Sequence, residues 1–183
     1  MSMKIILTEN QYKKLKESLE DFNLAKEEKV KSAKNYVRDV ATQVNSLGLG
    51  SDVTDFMVRV AAVETCYGLA TNNVDIWQID PIAFKDTKDT TSHPSLKKKL
   101  GEIKKQKNID WKSLSQSNME ASPLKNGIAA RLVLSNIPSS VPSDLQGQAK
   151  YWKNNYNTSA GGGTVNDFIR KSTDIKACIG YVK

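Results

Sequence analysis

The sequence predicts a mainly α-helical protein with one small β element near residues 74–80. Three observations lead to this fold class. Apolar residues recur at helical spacing in most segments, a single stretch alternates apolar and polar residues as a half-buried strand does, and no internal repeat is present. At 183 residues, with 39% apolar and 26% charged residues, the chain has the length and composition of one globular domain. We therefore expect a single domain over residues 1–183, with an N-terminal helical extension at about residues 1–30.

The first helical region is expected over residues 9–44, as one or two helices, with a brief apolar start at residues 4–7 and Thr8 as the N-cap. Its first part carries a narrow apolar stripe formed by Tyr12, Leu15, Leu19 and Phe22. We expect this stripe to pack on the domain, and an arm that binds a partner or a surface is the alternative. A stronger stripe over residues 36–44 is expected in the main core.

Five further helices and two loops are expected along the chain. The helices are predicted near residues 52–64, with Ser51 or Asp52 as the cap, and near 96–106, 123–134, 145–156 and 164–171, with a short helical turn at 110–114. The loops are predicted at residues 85–95 and 139–144, because turn-forming residues and prolines dominate there.

Glu64 follows an apolar helical run and is the candidate for chemistry. Phe56, Val60 and Val63 have the i, i+4, i+7 spacing of a buried helix face, and Glu64 comes directly after it. A carboxyl group at the end of a buried helix loses solvent, which disfavours its charged form and raises its pKa toward the range of a general acid. A solvated Glu at a helix end is the alternative reading.

The chain is expected to fold back after Glu64. Gly68 and the polar residues 71–73 are typical of a helix end and a turn, and residues 74–80 then alternate until Pro81 stops the pattern. Asp75 and Asp80 are therefore expected to face Glu64 across a groove. Glycoside hydrolysis uses one carboxylic acid opposed by a carboxylate in this way.

Three groups of residues resemble known cell-wall lytic enzymes. The first resembles the paired motifs of goose-type lysozymes and related lytic transglycosylases, and it reads Glu64-Thr65-x-Tyr67-Gly68 followed by Trp77-Gln78-Ile79-Asp80. Residues 124–130 resemble the start of that family's next core helix, and residues 148–153 its late Tyr-bearing helix. Residues 128–158 also resemble cell-wall lysis proteins of tailed bacteriophages. Together the resemblance covers roughly residues 52–171.

The resemblance implies a lysozyme-like fold and a peptidoglycan-degrading muramidase, or endolysin. Such an enzyme hydrolyses the β-1,4 bond between N-acetylmuramic acid and N-acetylglucosamine. It implies Glu64 as general acid, with Asp80 and Asp75 as the groups that position or deprotonate water, and Asp80 as the more important of the two. The substrate-binding residues that it implies are Gln78, Tyr67, Trp77 and Tyr151.

Two alternatives remain open. A lytic transglycosylase would close the muramic acid into a 1,6-anhydro ring without water. The family motif that places a Tyr near the Glu is replaced here by Ala130-Arg131-Leu132-Val133, which weakens that reading, although Tyr151 is a substitute. A non-enzymatic basic wall-binding or virion structural protein is the second alternative, and it explains the charge but not the clustered motifs.

The net charge of +7 favours an anionic polymer as partner. Nucleic acid is not expected, because lysine supplies most of the charge and only four arginines occur, widely separated. Two cysteines, Cys66 and Cys178, and one histidine, His93, form no metal-binding spacing, so we expect no metal and no cofactor. A disulfide between the cysteines is one alternative, and free thiols are the default in a reducing cytoplasm.

No apolar run approaches the length of a membrane span, and the N-terminus lacks the apolar core of a signal peptide. We therefore expect a monomer that is made in a host cytoplasm and acts on the bacterial cell wall after release by a holin or as part of a virion.

Overall fold

The protein is mainly helical in a computed structural model, which describes residues 8–157 and 161–183. Its helices are α1 (Glu9–Asn45), α2 (Thr54–Thr65), α3 (Pro81–Asp86), α4 (Leu96–Lys107), α5 (Gln116–Glu120), α6 (Pro123–Asn136), α7 (Leu145–Tyr151) and α8 (Val165–Thr173). A π-helical turn, Trp152–Asn157, follows α7, and a 3-10 helix, Ile175–Tyr181, follows α8. The prediction of a mainly α-helical fold is confirmed.

Helix α2 lies at the centre of the molecule. Most of its residues are buried, from Phe56 near its start to Thr65 at its end. A helix that is apolar on nearly all sides must be surrounded by other elements, and α1, α6 and α8 all pack against it. The end of α2 is therefore inside the protein, although the helix has only 12 residues.

Helix α1 is one unbroken helix of 37 residues. Thr8 caps it as predicted, in a capping box with Gln11. Its second half is held to the domain by Val30, Val37 and Val44, which are completely buried. Its first half is exposed throughout residues 9–25, so the prediction that the early stripe packs on the domain is wrong. The apolar start predicted at residues 4–7 lies outside the described residues.

The β element predicted near residues 74–80 is not present, and no strand occurs in residues 8–157 or 161–183. A strand needs extended residues and a neighbouring strand to accept its hydrogen bonds. Asp75 and Gln78 instead have φ angles of 46° and 50°, in the left-handed region. The stretch is a compact loop in which Ile76, Trp77 and Ile79 are buried in the core, while Val74 is exposed.

Local differences from the predicted elements follow from capping and packing. Pro81 begins helix α3 because Asp80 caps it, although residues from 85 onward were expected as loop. The helical turn predicted at residues 110–114 is a hydrogen-bonded turn, and α5 follows it. The helix predicted over residues 145–156 changes to a π-helical turn at Trp152.

Cys66 and Cys178 form a disulfide, with 5.4 Å between their Cα atoms. The default expectation of free thiols is therefore wrong. Cys66 is the C-cap of α2, and Cys178 lies in the 3-10 helix Ile175–Tyr181, so the bond joins the end of the central helix to the C-terminal segment. None of the helices described is both long and apolar enough to cross a membrane.

Candidate active site

Glu64 lies in the last turn of α2 and is half-buried. The indole nitrogen Nε1 of Trp152 donates a hydrogen bond of 2.8 Å to its Oε1. Lys171 Nζ donates to the carbonyl of Val63, the preceding residue, at 3.0 Å. The carboxyl group therefore has a defined orientation between an aromatic donor and a lysine.

The pKa of Glu64 is raised, chiefly because burial disfavours the charged form. The Trp152 hydrogen bond and the positive charge of Lys171 oppose this shift, while the negative charge of Asp75 adds to it. The negative end of the α2 dipole is also at this end of the helix. Glu64 thus keeps its proton to a higher pH than an exposed Glu, as a general acid requires.

The chain turns back sharply after Glu64. Cys66, Tyr67 and Gly68 all have positive φ angles, and a Cβ on Gly68 would lie 2.6 Å from Oδ1 of Asn73. Thr65 then holds the returning chain, because its hydroxyl donates to the carbonyl of Ile76 at 2.8 Å and accepts from the backbone N–H of Gly68 at 2.9 Å. The Thr that follows Glu64 therefore has a structural role.

The loop at residues 75–79 is held by side chains in place of a β ladder. Its backbone or indole groups bond to partners from three other helices and the π-helical turn. These bonds are Trp77 N to Asn126 Oδ1 at 2.9 Å, Trp77 Nε1 to the Met57 carbonyl at 2.9 Å, Tyr156 Oη to the Trp77 carbonyl at 2.7 Å, and Gln116 Nε2 to the Ile79 carbonyl at 2.9 Å. The loop therefore has a fixed position relative to α2.

Asp75 lies in this loop and is half-buried. Its Oδ1 accepts hydrogen bonds from the Ile79 backbone at 3.0 Å and from Nδ2 of Asn126 at 2.7 Å. Burial raises its pKa in spite of those two bonds, and the charge of Glu120 raises it further. Asp75 and Glu64 are close enough for the charge of Asp75 to affect the pKa of Glu64.

Asp80 is exposed and acts as the N-cap of α3. Its Oδ1 accepts from the backbone N–H groups of Ile82 at 2.8 Å and Ala83 at 2.9 Å. This capping role accounts for an Asp before Pro81 without any chemistry. Asp75, which is half-buried and coupled to Glu64, is the better placed of the two aspartates, which reverses the ranking expected from the sequence.

Tyr156 was not among the predicted site residues, yet the charges of all three acidic residues act on its phenol. Burial raises the pKa of its phenol well above the ordinary range, and the negative charges of Glu64, Asp75 and Asp80 raise it further. Trp152 and Tyr156 both belong to the π-helical turn, a conformation often found at functional sites. The spacing of the aromatic residues in this segment was the only sequence signal for Tyr156. The sequence does not show the π-helical turn, which orients the rings of both Trp152 and Tyr156.

The four predicted substrate-binding residues have different positions. Gln78 is exposed and lines a small cavity of about 30 Å³ together with Asp80 and Tyr156. Tyr67 and Trp77 are 1% and 0% exposed, so they are core residues and present no ring face to a ligand. Tyr151 is also buried.

Tyr151 does not share the site of Glu64. Its hydroxyl donates to the carbonyl of Ser139 at 3.1 Å, and its ring packs edge-on against Phe56. It lines a separate cavity of about 210 Å³ with Arg131. The tyrosine that accompanies Glu64 is therefore Tyr156.

A larger cavity, of about 470 Å³, lies at the other end of α2, where Thr54 and Asp55 begin the helix. Glu64, Asp75, Trp152 and Tyr156 are not among the residues that line it. Within the described part of the chain, no group of three His, Cys, Asp or Glu side chains is arranged to hold a metal ion.

No protein-family model, no curated protein and no solved structure matches this chain.

Proposed function

We propose that the protein is a peptidoglycan-degrading glycosidase that cleaves the β-1,4 bond between N-acetylmuramic acid and N-acetylglucosamine, with Glu64 as general acid. The observation that carries this proposal is the half-buried Glu64 carboxyl group, oriented by Trp152 and with a raised pKa. Asp75 supplies a second half-buried carboxyl group whose charge acts on Glu64, and glycoside cleavage uses a pair of carboxyl groups in these two roles.

In the proposed reaction, protonated Glu64 donates its proton to the glycosidic oxygen. The bond from that oxygen to C1 of the muramic acid breaks, and the N-acetylglucosamine leaves with the electron pair and the proton as a hydroxyl group. Positive charge develops at C1, and the negative charge of Asp75 favours it. Water then adds to C1 and gives up a proton to a carboxylate, Asp75 or, less favourably placed, Asp80.

The choice of peptidoglycan as substrate rests on two features of the sequence. The residue groups around Glu64 and Trp77 resemble those of goose-type lysozymes, and the +7 charge suits an anionic wall. The exposed Gln78, beside the small cavity shared with Asp80 and Tyr156, is the proposed contact to the sugar.

A lytic transglycosylase is the second candidate, and one observation favours it. Asp75 and Asp80 both accept hydrogen bonds from the protein, which leaves their carboxylates less available to activate water. In that reaction the O6 hydroxyl of the muramic acid attacks C1. Glu64, which lost its proton in the first step, takes the proton of that hydroxyl. Ring closure would then need no carboxylate to activate water.

Mass spectrometry of digested peptidoglycan tests the proposal and separates the two reactions. Hydrolysis leaves a reducing muramic acid, whereas ring closure gives an anhydro product that is lighter by one water.

Asp75→Asn should reduce the rate of hydrolysis about 10- to 100-fold, and Asp80→Asn should reduce it less. If anhydro products predominated, the protein would be assigned as a transglycosylase and not as a hydrolase. No released fragments at all, or equal release by Glu64→Gln, would exclude both.

A further inference from the structure

The first half of α1 is a free helical arm. Every residue over 9–25 is exposed, and the first completely buried residue of α1 is Val30. At 1.5 Å per residue the arm extends about 25 Å. It is properly formed, since the Thr8 capping box satisfies its start and α1 continues unbroken into the domain.

The arm carries a stripe of large apolar side chains that no other described element covers, although Lys26 of the same helix lies over the Phe22 ring, 4.6 Å from its centroid. Tyr12, Leu15, Leu19 and Phe22 are 62%, 49%, 52% and 57% exposed. Their spacing of three, four and three residues is that of the a and d positions of a coiled coil. Leu24 is also exposed, at 60%, but it points to the opposite side of the helix.

The stripe continues an interface that already exists. At 100° per residue, the stripe points in the same direction as Val30, Val37 and Val44. Those valines are buried along the part of α1 that packs against α2, α6 and the 3-10 helix Ile175–Tyr181. One face of α1 is therefore apolar along most of the helix, interrupted at Lys26, and the domain covers only its second half.

We propose that the arm pairs with the arm of a second copy of this chain, in an antiparallel two-helix contact. The direction follows from the shared face. In a parallel pair, the second half of each α1 would lie along the same face of the other α1. That face is already covered by the other copy's own domain, so the two domains would collide. In an antiparallel pair each domain lies beyond the end of the other arm, and both stripes are covered.

The stripe is self-complementary in this orientation. When residues whose numbers sum to 34 lie opposite each other, Leu15 faces Leu19 of the second copy and Tyr12 faces its Phe22. These are the a-to-d layers that antiparallel helices form. Each layer occurs twice because the contact has two-fold symmetry.

The charges beside the stripe permit this pairing. In the same register Lys26 lies opposite Thr8 of the second copy, one residue from its Glu9, which places opposite charges near each end of the contact. Lys16 lies close to Lys16 of the second copy near the two-fold axis, and this like-charged pair is outnumbered by the opposite charges near the two ends. The contact is small for a stable interface, and we expect a dimer that forms above roughly 10 µM.

Analytical ultracentrifugation of the full chain tests the proposal. The average mass should rise with concentration from 20.3 kDa toward twice that value. Leu19→Glu should weaken dimerisation at least about tenfold. Leu24→Glu, the same change on the opposite face of the arm, should leave it unchanged. Circular dichroism checks that both variants remain helical, and the Glu64 site is untouched by either.

Three outcomes would overturn the proposal. These are a monomer up to about 500 µM, well above the expected range, an average mass above two chains, or equal losses from Leu19→Glu and Leu24→Glu. Orientation has its own test in a mixture of Leu15→Cys and Leu19→Cys chains. Antiparallel arms should cross-link one variant to the other, and preferential cross-linking of identical variants would exclude them. Neither measurement depends on glycosidase activity.

Discussion

The two ends of helix α2 carry one acidic residue each, in opposite surroundings. Asp55, in the first turn, has a side chain 65% exposed and forms an ion pair of 2.8 Å with Arg38. Glu64, in the last turn, is half-buried and receives a hydrogen bond from Trp152. The helix dipole favours the charge of Asp55 and opposes that of Glu64. The comparison teaches that position along a helix, together with burial, makes one carboxyl group a surface charge and the other an acid.

The largest expected difference is between the effects on activity of substitutions at the two ends of α2. Glu64→Gln removes the transferable proton and keeps the shape, so wall lysis should fall roughly 10³-fold or more. Asp55→Asn is the matched control and should keep nearly full activity. Turbidity of a peptidoglycan suspension measures both. If Glu64→Gln kept more than about half of the wild-type rate, Glu64 could not be the general acid.

Stability should also separate the two ends. The Cys66–Cys178 bond at the end of α2 closes a loop with a sequence separation of 112 residues. Changing both cysteines to Ala should lower the free energy of unfolding by about 2–5 kcal/mol. Arg38→Ala, which removes the exposed ion pair at the start of α2, should cost at most about 1 kcal/mol. Urea denaturation measures the difference, and equal losses would contradict the importance of the C-terminal attachment.

Trp152→Phe should change how activity depends on pH. The indole N–H stabilises the carboxylate of Glu64, so its loss should raise the pKa of Glu64 further. The fall in rate on the alkaline side should then move to higher pH, while the rate itself drops about tenfold through lost orientation. Trp77→Phe is the control, because its indole bonds to Met57 and not to Glu64. The same alkaline shift in both variants would argue against a direct effect of Trp152.

The smallest expected effect is on stability as a function of pH. Because the pKa of Glu64 is raised in the folded state, wild-type stability falls as pH rises from the ordinary Glu value of about 4.3 through the raised value. Glu64→Gln should therefore be the more stable protein at pH 7, and the difference should vanish below about pH 4. Asp55→Asn should instead be slightly less stable at pH 7. Thermal unfolding at several pH values gives both signs.

The sequence by itself determined most of the helices and the place of Glu64 at the end of a buried one. Helical periodicity, the Thr8 cap and the apolar run before Glu64 are local signals, because each depends on residues within one or two turns of each other. A carboxyl group at the end of a buried helix could therefore be predicted without coordinates.

Only the tertiary structure decided what surrounds Glu64. Trp152 reaches it from 88 residues away, Tyr156 bonds to a loop 79 residues away, and Cys66 and Cys178 are 112 residues apart. The same is true of the loop at residues 75–79, because a strand exists only where another strand accepts its hydrogen bonds. Pairings of this kind depend on which helices pack together. The pattern of residues along the chain does not show which distant residue will lie next to Glu64.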